Sequence, residues 1–162
     1  MKGAIDIEFL LAAFLFLTTI VFITFSIIGK IPVLQEKSLS ENLQSTSYQL
    51  SELLLTEGYP ENWNTVTDLD QVGYIGLESK SDHILEPSKV LKLNNICSIS
   101  ANYKKLREKM LNYDFIIKIT DGTTTLVECN PPVLSLTRPK FTTIRHAVYQ
   151  GNVVDITVEI LG

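Results

Sequence analysis

The chain has 162 residues, a formal net charge of −4 and an isoelectric point near 5.2. It has no basic stripe and no aromatic residues interleaved with Lys or Arg, so the phosphate-neutralising surface of a nucleic-acid binder is missing and no such contact is expected. The apolar excess sits in roughly the first thirty residues, and the remainder suffices for one folded domain and not for two.

From Phe9 to Ile28 the sequence reads FLLAAFLFLTTIVFITFSII, with no charge, Pro, Asn or Gln. A helix of this length covers roughly 30 Å, the thickness of a bilayer's hydrocarbon. Its Leu, Ile, Phe and Val residues favour insertion by about 0.3 to 0.6 kcal/mol each, together on the order of 5 kcal/mol. A cleaved secretory signal fits less well, because its apolar run is usually about 7 to 15 residues and ends in a small-x-small site, whereas here Ile27-Ile28-Gly29 follows a longer run.

Ahead of the run stands Met1-Lys2-Gly3-Ala4-Ile5-Asp6-Ile7-Glu8. Asp6 suits a helix start, where free N–H groups favour an anion. Glu8 touches the apolar run itself, and burying it among packed helices costs several kcal/mol unless a cation compensates. Cleavage after Gly3 would create such a cation, the amine of Ala4.

In these residues the chain resembles the archaeal type IV pilin-like proteins. In that family a short basic leader ends in Gly, and a Glu stands fifth in the mature chain before about twenty apolar residues. The resemblance implies a leader over 1–3, cleavage between Gly3 and Ala4, and a charge pair between Glu8 and the Ala4 amine. It is nearest to the subgroup with class III signal peptides, whose junction is followed by Gln-x-Ser-x-Glu; this chain has Ala4 and Asp6 at the first and third of those positions. A second stretch, Gly58-Tyr59-Pro60-Glu61-Asn62-Trp63 followed by Ile75-Gly76-Leu77, is similar to one found in many archaeal pilin-like and envelope proteins.

Beyond the run, Gly29 and Pro32 are expected to bend or interrupt the helix. Leu39, Leu43, Leu50 and Leu54 then mark an amphipathic helix to about Thr56, stopped by Gly58 and Pro60. The segment from Glu57 to about Asp82 reads as loop anchored by Trp63, Tyr74 and Leu77, with a short strand over Gly73 to Glu78. Glu86-Pro87-Ser88 opens a helix, and a second covers Ala101 to Leu111 with Tyr103, Leu106 and Met110 on one core face. Period-two segments Asp114 to Thr120 and Thr124 to Cys129 flank Asp121-Gly122, and Lys140 to Tyr149 and Asn152 to Leu161 flank Gln150-Gly151, each a hairpin.

The expected fold class is α+β and type IV pilin-like: a long N-terminal helix, half transmembrane and half amphipathic, packed on a head with an antiparallel sheet of about four strands and one or two short helices. The expected boundaries are 1–3 leader, 4–29 transmembrane or filament-core helix, 30–56 amphipathic continuation and 57–162 extracytoplasmic head. Cys97 and Cys129 are either a disulfide, permitted outside the cytoplasm, or two separate buried thiols, and their spacing is no zinc site. His83 and His146 stand alone, no nucleophile motif or phosphate loop occurs, and no enzymatic activity, cofactor or metal is expected. No Asn-x-Ser/Thr sequon occurs in the chain.

Two functions follow from this reading. One is a minor or accessory subunit of a pilus-like filament, whose partners are a prepilin peptidase, other pilin subunits, the assembly platform and, before assembly, the membrane. The other is a single-pass anchored binding protein, an adhesin or envelope-complex component, that does not polymerise. Either starts in the cell membrane with its N-terminus cytoplasmic; the filament subunit ends at the cell surface.

Overall fold

In the computed structural model, residues 7–80, 83–132 and 138–162 are described, without the side chains of 31–35. The chain is α+β and divides into two units, Met1–Ser38 and Leu39–Gly162. The first contains helix α1, Ile7–Ile28, and the start of α2, Ile31–Leu54. Between them Gly29 and Lys30 close the last turn of α1 onto the carbonyls of Phe25 and Ile27, both at 3.0 Å. Pro32 stands second in α2, where a missing N–H is tolerated.

The second unit is the head. It contains the rest of α2, short helices α3 (Pro87–Cys97) and α4 (Ser100–Lys109), and strands β1 (Asp114–Asp121), β2 (Thr124–Cys129), β3 (Lys140–Tyr149) and β4 (Asn152–Leu161). The strands form one antiparallel sheet in the order β2-β1-β4-β3. The alternation of apolar residues places Phe115, Ile117 and Ile119 opposite Ile160, Val158 and Ile156 on a single buried face. Gln150 and Gly151 carry φ of 50° and 87°, the pair of positive values that a type I′ hairpin needs.

From Leu39 onward α2 supplies Leu43, Leu50 and Leu54 to the core beneath this face, together with Trp63, Leu77, Leu93, Leu106 and Met110. That burial is why the helix from Leu39 onward falls in the same unit as the sheet. The stripe is less apolar than its leucines suggest. Leu39 is exposed, whereas Ser47 and Ser51 are fully buried. Ser47 Oγ donates to Thr143 Oγ1 at 2.7 Å, and Arg145 Nε donates to Ser51 Oγ at 3.2 Å. Small hydroxyl side chains let the helix lie close to β3 with their polar atoms satisfied.

Two expected elements are corrected. Gly73 to Glu78 is not a strand: Tyr74 bridges Tyr59 and Glu78 bridges Leu85, while Leu77 N donates to Leu54 O at 2.8 Å. Successive residues find different neighbours, so no continuous ladder forms. The second short helix stops at Lys109 rather than Leu111, because Leu111 and Asn112 take φ of 62° and 57°, and Asn112 N closes onto Arg107 O at 2.9 Å.

Candidate functional site

Helix α1 is the one described helix long and apolar enough to cross a membrane, and none of its residues is buried. Its 22 residues rise about 33 Å, at about 1.5 Å each. Its three threonines, Thr18, Thr19 and Thr24, donate to the carbonyls of Phe14, Leu15 and Ile20, each at 2.8 Å. In an apolar solvent these hydroxyls would therefore be already paired, which removes most of their cost there. Glu8 lies exposed in the first turn, the only acidic residue of the helix, and its side chain makes no hydrogen bond or ion pair with a described residue. Gly3, Ala4 and Asp6, and with them the cleavage junction and the amine expected to pair with Glu8, lie outside the described residues.

At the C-terminal end of α2 the second motif folds into a compact joint. Gly58 has φ of 80°, and a Cβ there would stand 2.6 Å from Trp63 Cδ1. At Gly76 a Cβ would stand 2.2 Å from Thr56 O. The Trp63 indole, fully buried, occupies the space that the first glycine leaves and donates from Nε1 to Gly76 O at 2.7 Å. Each glycine of the motif is thus required by close approach, and the motif's role in this chain is to turn the backbone at the helix end. Tyr59 and Tyr74 stack beside it with ring centroids 6.3 Å apart.

One residue at this joint was not signalled by the sequence. Lys89 is buried, and its Nζ donates to Glu57 O at 2.7 Å and to Glu78 O at 2.8 Å. It pins the two ends of the loop to α3. A lysine in a short helix after Glu-Pro-Ser reads as solvated surface, and nothing in its spacing marks the carbonyls it meets.

Cys97, the last residue of α3, and Cys129, the last of β2, are joined in a disulfide with Cα atoms 4.9 Å apart, a normal separation for a bridge. Tyr103 takes part in a second tie: its hydroxyl donates to Phe115 O and accepts from Phe115 N, both at 2.8 Å. Burial pushes its phenol up to about 12. Arg107 and Arg138 bind the two oxygens of Asp114 at 2.9 and 3.0 Å, and the hydrogen bond to Asp114 raises the Arg107 guanidinium further above its ordinary value. His146 Nδ1 lies 2.8 Å from Asp155 Oδ1 across β3 and β4. His83 serves through its backbone, its O accepting from Val148 N at 2.8 Å.

Among the described residues no three His, Cys, Asp or Glu side chains converge as a metal would require. Compared with known proteins, the chain matches no family model, no curated protein and no solved structure.

Proposed function

We propose that this chain is a minor or accessory subunit of an archaeal type IV pilus-like surface filament. A prepilin peptidase cleaves after Gly3, Ala4 becomes the mature N-terminus, and α1 passes from the membrane into the filament core with the heads outside. The observation that carries this reading is an apolar 22-residue helix without one buried residue, whose single acid, Glu8, stands five residues beyond Gly3. Such a helix needs an apolar partner, and such an acid needs a cation once it leaves the membrane's edge. The Ala4 amine of the same or an adjacent subunit supplies the cation and sets axial register.

The test is made in the native cell. Mass spectrometry of the mature chain should find Ala4 as its first residue, and antibody labelling should decorate sheared surface filaments. Glu8→Ala should insert in the membrane normally and fail to enter filaments; normal incorporation would refute the pairing. Cleavage without filament labelling would replace the proposal with the membrane-anchored binding protein.

A further inference from the structure

A cleft of about 330 Å³ opens on the head between α3, the start of α4 and the turn at Leu69–Gln71. Its volume is at the lower end of the range of about 300 to 1,000 Å³ for small-molecule sites. Leu69, Ile96 and Ile99 give it an aliphatic floor, and Ile99 stays 54% exposed although it lies between two helices. Lys92, Asn95 and Asn102 stand over that floor. Lys92, Asn95 and Ile96 follow the i, i+3, i+4 pattern of one face of α3, Ile99 stands in the link between the helices, and Asn102 comes from the first turn of α4.

These three polar side chains are uncommitted and share one cleft. The one carboxylate of the lining, Asp68, is balanced by Lys105 at 3.7 Å, which also binds Asp70 at 2.9 Å. The side chains of Lys92, Asn95 and Asn102 make no hydrogen bond or ion pair with any described residue. Each carboxamide offers donors and an acceptor side by side, the complement of a hydroxyl group, which is also both. The floor offers aliphatic surface for a C–H face, and no aromatic ring lines the cleft, so a stacked base or aromatic ligand gains little. A bare anion would use Lys92 and leave the carboxamides and the isoleucines idle. We infer that the cleft binds one sugar unit of an acidic glycan, with the carboxylate on Lys92, the ring hydroxyls on Asn95 and Asn102, and the C–H face on Ile99.

The experiment uses the full chain in lipid nanodiscs and does not depend on filament assembly, so its result is separable from the proposal above. Saturation-transfer NMR is recorded with sodium glucuronate, with glucose and with sodium acetate. Glucuronate ring protons should receive saturation, and Lys92→Gln should weaken glucuronate about tenfold, the loss of one charge-assisted hydrogen bond, while leaving the weaker glucose signal unchanged. Asn95→Ala should weaken both sugars. Lys104→Gln, outside the cleft, should weaken neither. Trp63 fluorescence and circular dichroism verify that each variant is folded. The inference is overturned if no sugar receives saturation, if acetate displaces glucuronate as well as unlabelled glucuronate does, or if folded Lys92→Gln and Asn95→Ala bind as the wild type does.

Discussion

Helix α1 and the central strand β1 are both dominated by large apolar residues, yet the two regions use them in opposite ways. In α1, Phe16 is 66% exposed and its neighbours on every side are alike. In β1, Phe115 is fully buried, faces Ile160 across the ladder and packs its ring 5.1 Å from that of Tyr103. A continuous apolar run specifies a solvent, since any rotation of the helix presents the same surface. An alternating run specifies a register, since a shift by one residue would turn every core side chain outward. The same side chain should therefore count for the head's stability in one place and not in the other.

The sharpest way to break that contrast is to truncate the same residue type in each. Phe115→Ala should destabilise the head by about 3 to 5 kcal/mol, whereas Phe16→Ala should leave its unfolding midpoint unchanged. Trp63, the single tryptophan, reports both in a urea titration of the detergent-solubilised chain. A large shift from Phe16→Ala would show that α1 contributes to the head's core.

Next in size is the disulfide. It ties α3 to the edge strand β2 and spans 32 residues, for which the chain-entropy relation gives about 3 to 4 kcal/mol. Reducing it, or replacing both cysteines by serine, should lower the urea midpoint accordingly without changing membrane insertion. Two freely reactive thiols in protein purified without reductant would count against the bridge. Lys89→Met should follow at about 2 kcal/mol, because it leaves the half-buried Glu57 O and Glu78 O without the donor they have here. The shape of the Met side chain is close enough to keep the packing, so a neutral result would mean that water reaches those carbonyls.

These positions differ in how far the sequence revealed them. The strand limits follow from period two and the two turn signals, and the helix faces of Tyr103, Leu106 and Met110 from period 3.6, because both patterns are local. The joint at Gly58, Trp63 and Gly76 was visible as a motif but not as a mechanism, since the indole-to-carbonyl bond spans 13 residues. Lys89 was invisible, and so was the burial of Ser47 and Ser51. In each case a polar residue is buried because of what it meets across the fold, and nothing local encodes that meeting. The cleft belongs to the same class: Asn95 and Asn102 are unremarkable in sequence and converge only because α4 turns back at Ile99. At the N-terminus the reverse holds: the roles proposed for Gly3, Ala4 and Glu8 rest on spacing alone.

The smallest expected effect concerns the exposed pair of Lys105 with Asp70. The hydrogen bond from Lys105, reinforced by its charge, holds the Asp70 carboxyl below the ordinary 3.8, and the same bond raises Lys105 above 10.5. A lowered carboxyl stabilises the folded state above its unfolded value and loses that contribution as pH falls through the folded one. A raised ammonium stabilises it below its unfolded value and loses that contribution as pH rises through the folded one. The pair should therefore help throughout the neutral range and fade below about pH 4 and above about pH 10, at the two ordinary values. Both groups are solvent-exposed, so the effect should be small and salt-sensitive. Asp70→Asn should lower the urea midpoint slightly at pH 7 in low salt, and the difference from wild type should vanish in acid and at high salt. A difference that persisted in acid would assign the role of Asp70 to its backbone turn rather than to its charge.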